Sequence, residues 1–278
     1  MDRGPRRRIV QRAFSECLSR IRRFDEVGEE EFSSAVRDIP DVLRELATQL
    51  ENPPDEIAAH SELPGLEGYA RWADGYDCNE DNVVIAAEEE IIWKLIGPPR
   101  GLRVLDVGCG TGRHAIPLAS QGAQVTGIEP TPEMLSLAKE KAQALGLSID
   151  FHSGNIESLG SEPGEFDLVL CCLVLSHVEE ISEAITNLSR HLGCGGRLIV
   201  SDFHPINLLL GSRTSFTAEG KKFIVPNCLH LPSDYFSAMI SAGLRVTQFF
   251  EEGQLERFPG IPMALIMEAR QRGSADAH

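Results

Sequence analysis

Residues 104–112 carry the sequence VLDVGCGTG, and this stretch decides the fold of the chain. Its first half is apolar apart from one acid, which predicts a buried strand. Glycine then occupies every second position, where it permits positive φ angles and lets a ligand approach the backbone closely. We predict a helix directly after the loop, and the N–H groups of its first turn point into the same crevice. The stretch therefore predicts a strand, a loop and a helix that form a nucleotide-type site.

Outward from this loop, predicted strands alternate with predicted helices. Such alternation is typical of parallel strands joined by crossover helices. Thr131 as a cap and Pro132 in the first turn introduce a helix over Met134–Ala144, and another is predicted over Ser233–Ala242. Pro117 falls inside the helix predicted after the glycine loop, where it would remove one backbone bond and bend the helix unless the helix starts later. The predicted strands are 103–107, 124–128, 148–152, 166–172, 196–202, 245–250 and 264–268.

Two features distinguish between the nucleotides that such a loop can bind. A dinucleotide fingerprint, G-x-G-x-x-G, requires glycine at position 113, where this chain has Arg113. The second strand is followed by Glu129, whose carboxylate can accept hydrogen bonds from both ribose hydroxyls. S-adenosylmethionine has a ribose but no pyrophosphate, so the loop fits this ligand better than NAD. A nicotinamide dehydrogenase is therefore the disfavoured alternative.

Four segments in this order resemble the class I S-adenosylmethionine-dependent methyltransferases, and the resemblance covers residues 69 to 203. It implies an α/β, Rossmann-like fold with a sheet of seven strands whose last strand is antiparallel. It also implies a methyltransferase that uses S-adenosylmethionine as its methyl donor. The segments are VLDVGCGTG, GIEPTPEML, SGNIESL and FDLVLCCLVLSHV.

The resemblance also implies roles for individual residues at the donor site. Asn155 stands where the family usually has an aspartate that accepts from the adenine amino group, and its amide oxygen can still accept. Tyr69 belongs to a segment that resembles a helix covering the donor, although packing on the domain explains it equally well. The remaining implied contacts are Asp106, Gly108 and Gly110 for the methionine part, Glu129 for the ribose, Pro130 and Ile156 for the adenine, and Cys172 beside the sulfonium.

Domain organisation follows from where helical spacing gives way to strand and helix alternation. Amphipathic helical spacing before Pro53 predicts an N-terminal helical extension over residues 1–52. We predict the methyltransferase domain over 60–272, with a lid insertion from 204 to 230. The lid region carries apolar residues that can exclude water from a reaction, namely Phe203, Leu208, Leu209, Leu210 and Phe216.

The methyl acceptor is predicted from the region beyond the fourth and fifth strands. Open α/β sheets bind ligands at the carboxyl ends of their strands, where His177 and His204 follow strands and His230 ends the insertion. Each is a candidate base, and a purely structural role stays open for each. We expect the insertion to bring His204 and His230 together. An apolar lid favours a small organic acceptor, and the [DN]PP[YF] motif of amino-group methyltransferases is absent.

Charge and composition limit the remaining classes of function. The formal net charge is -16, and residues 1–23 hold eight arginines against two acids, so the rest of the chain carries -22. Such a body repels phosphate groups, which disfavours nucleic acid as a partner. No apolar run approaches the ~18 residues that span a bilayer, so no membrane partner is expected.

Seven cysteines without a CxxC pair or metal-ligand spacing fit a reducing cytoplasm and predict no metal. The vicinal Cys171 and Cys172 have no cationic neighbour in sequence that would activate a thiolate, which argues against a nucleophile there. A non-catalytic S-adenosylmethionine-binding regulator remains the alternative function, because a fold and a ligand do not prove turnover. The oligomeric state stays open.

Overall fold

The computed structural model describes residues 61–78, 82–159, 165–255 and 258–271. The predicted extension over 1–52 lies outside these residues, so it stays a prediction. The helices within them are α1 (Gly65–Tyr76), α2 (Val83–Ile96), α3 (Ala115–Ser120), α4 (Pro132–Ala144), α5 (Ile181–Arg190), α6 (Pro205–Leu209) and α7 (Pro232–Ser241). The strands are β1 (Ser61–Glu62), β2 (Arg103–Val107), β3 (Gln124–Glu129), β4 (Asp150–Ser153), β5 (Phe166–Cys172), β6 (Leu192–Phe203), β7 (Thr214–Ala218), β8 (Lys221–Val225), β9 (Leu244–Leu255) and β10 (Phe258–Gln271).

Seven strands form one sheet in the order β4-β3-β2-β5-β6-β10-β9. β2 pairs in parallel with β3 and β5, and parallel pairing continues to β4 and β6. β10 runs antiparallel to both β6 and β9. This confirms the predicted sheet of seven strands with an antiparallel last strand. Because the strand order reverses direction at β2, a crevice opens beyond its carboxyl end, where open α/β sheets bind ligands.

Several strands extend beyond their predicted ends. β6 begins at Leu192, which pairs with Phe166 before a register irregularity. β9 and β10 pair with each other over a long antiparallel stretch at the edge of the sheet. Backbone pairing defines these extensions, and the outer parts lack the apolar run by which sequence patterns mark a strand.

The helix after the glycine loop begins later than predicted. α3 spans only Ala115–Ser120, so Pro117 is its third residue. The N–H groups of a first helical turn have no acceptor within the helix, so proline costs no helical bond at this position. The expected loss of a backbone bond at Pro117 is therefore wrong.

The central sheet is buried on both faces. Along β2, Leu105 and Val107 point into an apolar layer that α5 and α7 cover. Val104 points into the opposite layer, which α2 and α3 complete. Alternate side chains of a strand point to opposite faces, which explains why a continuous apolar run marks β2.

A second sheet of three strands, β1-β8-β7, packs on α1. The ring of Trp72 stacks on Phe216 at a centroid distance of 5.0 Å, and the guanidinium of Arg71 lies 4.4 Å from the ring centroid of Phe223. We call α1 with β7 and β8 the cover. Phe216 is thus buried inside the cover, whereas Leu209 of the predicted apolar lid is 48% exposed. None of the helices in the described ranges is both long and apolar enough to cross a bilayer.

Candidate donor and acceptor sites

The glycine loop after β2 depends on backbone conformations that only glycine adopts easily. Gly108 and Gly110 have φ angles of 71° and 55°. A Cβ atom on Gly108 would lie 2.3 Å from Cγ2 of Val174, so no larger residue fits there. A Cβ atom on Gly110 would meet nothing within 4 Å, because this residue borders a cavity. The loop therefore exposes its backbone to any ligand in the cavity.

Glu129 ends β3 and organises the loop. Its Oε2 atom accepts from the backbone N–H of Gly110 at 3.0 Å, and its Oε1 atom accepts from the N–H of Thr131 at 2.9 Å. Burial raises the pKa of this carboxyl group, while the hydrogen bonds from Thr131 and Gly110 act in the opposite direction. Each carboxylate oxygen has a further lone pair, so the group can still accept from two ligand hydroxyls.

A cavity of about 350 Å³, which we call the donor cavity, lies beyond the carboxyl ends of β2 and β3. It brings together residues from five separate stretches of the chain. Ile156 is buried and Pro130 is partly buried, and both border the cavity near Glu129. The predicted donor residues that line it are Tyr69, Gly108, Gly110, Glu129, Pro130, Asn155, Ile156 and Cys172. The structure thus places these residues in the wall of a single cavity. Their roles toward a donor stay predictions.

Asp106 is the one predicted donor residue that does not line this cavity. Its side chain is buried beneath the glycine loop, and its Oδ2 atom has no hydrogen-bond partner among the described residues. Burial raises the pKa of Asp106 to about 7, and the positive charge of Arg113 acts in the opposite direction. The group is therefore poised between its neutral and charged forms near neutral pH.

A second cavity, of about 270 Å³, adjoins the first, and we call it the acceptor cavity. Tyr69, Tyr76, Leu173 and His177 line both cavities. Aromatic and apolar groups form much of the second wall, together with hydroxyl groups and one buried acid. Its further lining includes Trp72, Asp202, Phe203, Ser176, Thr214 and Met263.

His177 lies at the junction of the two cavities. Its Nδ1 atom is 2.9 Å from the carbonyl oxygen of Pro226, and a carbonyl only accepts, so Nδ1 carries a proton. The Nε2 atom of the neutral ring then accepts from the hydroxyl of Tyr69 at 2.9 Å. Burial lowers the pKa of His177, while the charge of Asp202 opposes that shift. This geometry keeps a neutral imidazole with its basic nitrogen toward the shared wall.

Asp202 is a site residue to which the sequence pattern assigned no role. Its Oδ2 atom accepts from the backbone N–H of Ser176 at 2.6 Å and from the hydroxyl of Tyr235 at 2.9 Å. Burial raises the pKa of Asp202, and hydrogen bonding from Ser176 counters this shift. An acid at the carboxyl end of the fifth predicted strand is the signal that could have identified it.

His204 and His230 do not line either cavity. The Nε2 atom of His204 lies 2.8 Å from a carboxylate oxygen of Glu251, and its Nδ1 atom accepts from the N–H of Ile206. The Nε2 atom of His230 is 2.7 Å from the carbonyl oxygen of Val178. Because each ring has its own partners, the expectation that the insertion joins these two histidines is not met. Their catalytic roles stay predictions.

The vicinal cysteines are buried at the end of β5. Burial is the largest cause that raises the thiol pKa of both Cys171 and Cys172, and the negative charge of Glu88 adds to it at Cys172. A thiol in this environment stays protonated at neutral pH, so it is a poor nucleophile. This agrees with the expectation against a catalytic cysteine.

The fold and the site together define a protein class. A glycine loop after the central strand, a carboxylate at the end of the next strand and an antiparallel β10 are the features of a Rossmann-like methyltransferase. The family model described as "Methyltransferase domain" matches residues 105–200. Residues 105–200 thus match a methyltransferase domain, and the chain has the Rossmann-like fold of the class I S-adenosylmethionine-dependent methyltransferases.

Curated relatives and solved structures agree with this class. The chain is 47% identical over 85 residues to a ubiquinone biosynthesis O-methyltransferase of Methylocella silvestris, covering 31% of this chain and 33% of that protein. It is 40% identical over 153 residues to the protein of the same name from Xylella fastidiosa, covering 53% and 61%. It superimposes on magnesium protoporphyrin IX methyltransferase of Synechocystis with bound S-adenosylmethionine at a TM-score of 0.50 and 25% identity, covering 72% and 81%.

Other structural matches support the fold alone. A putative S-adenosylmethionine-dependent methyltransferase from Listeria monocytogenes gives a TM-score of 0.56 at 23% identity, covering 67% of this chain and 98% of that one. The chain spans less than two thirds of the length of the first curated relatives it matches.

Proposed function

We propose that this chain transfers a methyl group from S-adenosylmethionine to a hydroxyl group of a small organic acceptor, with His177 as the base. One observation carries this proposal. The unprotonated Nε2 atom of His177 faces a wall shared by the donor cavity and the acceptor cavity. A base at such a junction can take a proton from an acceptor that lies beside the donor.

The residues of the first cavity fit the proposed donor. Glu129 offers lone pairs for the ribose hydroxyls, Pro130 and Ile156 offer apolar surface for a base, and the open side of Gly110 leaves room beside the backbone. When bound, S-adenosylmethionine supplies a methyl group on a positively charged sulfur. Glu129 and the loop fix the position of that ligand, and correct alignment accounts for much of the rate in such displacements.

The protein then handles the acceptor proton. His177 accepts it at Nε2, and Tyr69, which donates to that atom in the structure, must give way to the acceptor hydroxyl. The carbonyl of Pro226 and the nearby carboxylate of Asp202 stabilise the resulting imidazolium. The curated relatives are named O-methyltransferases, which supports a hydroxyl as the acceptor group.

The walls of the acceptor cavity favour a small aromatic acceptor over a polymer. Tyr69, Trp72, Tyr76 and Phe203 offer ring surfaces for offset or edge-to-face packing. A volume of about 270 Å³ suits a molecule of one or two rings. The acidic body of the chain further disfavours a nucleic acid.

We also infer a reducing compartment, namely the cytoplasm. All six described cysteines are free thiols, including the exposed Cys78 and Cys194. Exposed thiols persist where the surroundings are reducing.

Two measurements test the proposed function. We expect calorimetry to give micromolar binding of S-adenosylhomocysteine and no measurable binding of NAD. A screen of hydroxylated aromatic compounds with S-adenosylmethionine should then yield S-adenosylhomocysteine with at least one acceptor. Tight NAD binding would refute the donor assignment. Donor binding without product from any acceptor class would favour the non-catalytic regulator instead.

A further inference from the structure

One asparagine side chain orients two hydroxyl groups in the wall of the acceptor cavity. Asn227 follows β8 and does not itself line the cavity. Its Oδ1 atom accepts from the backbone N–H of Thr214 at 2.9 Å, which identifies the other amide atom as the donor nitrogen. That Nδ2 atom donates to the hydroxyl of Thr214 at 3.0 Å and to the hydroxyl of Ser176 at 3.4 Å. Since both hydroxyl oxygens accept from Asn227, the hydrogen of each hydroxyl must be donated to another group.

The two hydroxyl groups differ in the acceptors around them. Ser176 is buried against Asp202, and hydrogen bonding from Ser176 to that carboxylate counters the burial that raises the pKa of Asp202. The carboxylate is therefore an acceptor for the Ser176 hydroxyl. Within the described part of the chain, the hydroxyl of Thr214 has no such acceptor. Its hydrogen is left for a molecule in the cavity.

The side chain of Thr214 lies on the face of β7 that borders the acceptor cavity. Alternate residues of a strand point to the same face, so Thr214 and Phe216 share a face. The ring of Phe216 stacks on Trp72, and Trp72 and Thr214 both line the cavity. Thr217 is on the opposite face and is exposed.

Thr214 is also tied to the turn that carries the proposed base. Asn227 bridges Thr214 to Ser176, the residue before His177. The carbonyl of Pro226, the residue before Asn227, lies 2.9 Å from Nδ1 of His177. These contacts hold the Thr214 hydroxyl and the base in one cavity of about 270 Å³. A molecule of one aromatic ring can therefore reach both groups with two of its substituents.

We infer that the Thr214 hydroxyl donates a hydrogen bond to a carbonyl oxygen of the acceptor, so that the acceptor is an aromatic compound with a carbonyl group beside the hydroxyl that is methylated. This inference rests on the proposed function and narrows its acceptor class. A carbonyl oxygen only accepts, so it matches a wall hydroxyl whose own oxygen already accepts from Asn227. Thr214 is thus a specificity-determining residue, and Asn227 is a positioning residue that acts through it.

Matched phenols that differ in one substituent provide the test. The isomers of hydroxybenzaldehyde carry a carbonyl group where the isomers of methylphenol carry a methyl group of similar size. We would measure kcat/KM for both sets with S-adenosylmethionine, using the full-length wild type and Thr214→Val, which removes the hydroxyl and keeps the shape. We expect the ratio of kcat/KM for hydroxybenzaldehyde over methylphenol to fall by about 5-fold, as expected for the loss of one hydrogen bond between uncharged groups.

Three further variants sharpen this test. Thr214→Ser keeps the hydroxyl and should keep the wild-type ratio. Asn227→Asp keeps an acceptor for the backbone N–H of Thr214 but replaces the donor nitrogen by oxygen. The Thr214 hydroxyl would then donate to the new carboxylate instead of the acceptor, so the ratio should fall about as far as in Thr214→Val. Thr217→Val makes the same substitution on the exposed face of β7 and should leave the ratio unchanged. Because each ratio compares the same two acceptors, their intrinsic reactivity and any general loss of stability cancel.

The results that would overturn the inference are distinct from those that would overturn the proposed function. A ratio that stays at the wild-type value in Thr214→Val and Asn227→Asp would mean that Thr214 does not bind the acceptor. The same result with equal losses for both acceptors would mean that Thr214 only shapes the cavity. If the wild type methylates methylphenols but no hydroxybenzaldehyde, the inference fails and the proposed function stands. If it methylates no hydroxylated aromatic compound of either set, both fail.

Discussion

The donor cavity and the acceptor cavity are built from different parts of the chain. The glycine loop, Glu129, Asn155 and Cys172 all lie within residues 105–200, which match the methyltransferase family. Most of the acceptor wall lies outside that range, and large parts of it come from α1, the start of α2 and the cover strand β7. This difference supports our proposal that donor binding belongs to the matched domain and acceptor choice to the segments around it.

The two cavities also differ in how they are made. The donor wall uses backbone conformations, such as the positive φ of Gly108, together with a carboxylate fixed by N–H groups. The acceptor wall uses aromatic side chains that pack on each other, such as Trp72 on Phe216. A positive φ angle restricts the residue at that position to glycine. In contrast, a single substitution of an aromatic side chain can change the shape of the acceptor wall. Variants at each cavity should therefore have separable effects.

The largest expected effect concerns His177, where the two cavities meet. Loss of a general base lowers kcat by about 10²–10⁴-fold, so we expect His177→Ala to fall in that range with the identified acceptor. The Kd of S-adenosylhomocysteine should change by less than about 3-fold, because a base acts mainly in the transition state.

His152→Ala is the matched control for this prediction. That histidine lies on β4, is half exposed and pairs with Asp150 at the surface, so its loss should leave kcat unchanged. If His177→Ala keeps the wild-type kcat, alignment alone accounts for the rate and the proposed base is wrong.

The next effect lies wholly on the donor side. We expect Glu129→Ala to weaken donor binding by about 2–4 kcal/mol, because two ribose hydroxyls lose a buried, charged partner. It should weaken S-adenosylhomocysteine and 5′-methylthioadenosine, which shares the adenosine and sulfur but lacks the amino-acid group, alike, since both contain the ribose.

Glu133→Ala removes a nearby exposed carboxylate in the first turn of α4 and should leave both affinities unchanged. Calorimetry measures the Kd of both ligands for the two variants and the wild type. Equal affinities of Glu129→Ala and the wild type would mean that Glu129 does not bind the ribose.

The same contrast explains what the sequence could predict. The seven strands could be predicted because periodicity is a local property. The wall from Gly108 to Ile156 could be predicted because its segments resemble those of a known family. His177 was one of three candidate histidines, and only the fold selects it. Its partners Tyr69 and Pro226 are 108 and 49 residues away along the chain.

Wrong or missing predictions from the sequence also concern residues that lie far apart along the chain. Ser201 and Glu88 interact only because α2 packs on the sheet beside β6, so no local sequence pattern indicates this buried contact. The predicted meeting of His204 and His230 assumed that the insertion folds over the site as one unit. In the structure, the insertion forms α6 and a hairpin, and each histidine bonds to a different element.

The raised pKa of the buried Asp106 predicts a pH-dependent effect on stability. The pKa of Asp106 is about 7 in the folded protein, well above the value of an unfolded aspartate, so folding favours the protonated form. The cost of charging it is absent below the unfolded pKa and grows as pH rises through the folded pKa. Asp106 faces the charges of Arg113 and Glu129.

We therefore expect Asp106→Asn to be more stable than the wild type, with an advantage that grows by roughly 2 kcal/mol between pH 5 and pH 8. Urea unfolding without ligand at both values measures it. The same variant should bind S-adenosylhomocysteine more weakly, so the substitution would raise stability and lower ligand affinity. Asp150→Asn, at an exposed position, should show neither change. An advantage that is the same at both pH values would contradict the raised pKa.

The smallest expected effect is at His204, on the lid side but outside both cavities. Its Nδ1 atom accepts from the N–H of Ile206 at the start of α6, and its contact with the half-exposed Glu251 is screened by solvent. Loss of such a cap costs about 1 kcal/mol, so His204→Ala should lower the free energy of unfolding by that amount and leave kcat within about 3-fold. His204→Asn restores a good capping side chain and should recover most of the stability.

Burial lowers the pKa of His204, so the cap acts as a neutral ring and the effect should not depend on pH above 7. A large fall in kcat for both His204 variants, with donor affinity and stability intact, would instead make His204 the base and return the acceptor site to the lid.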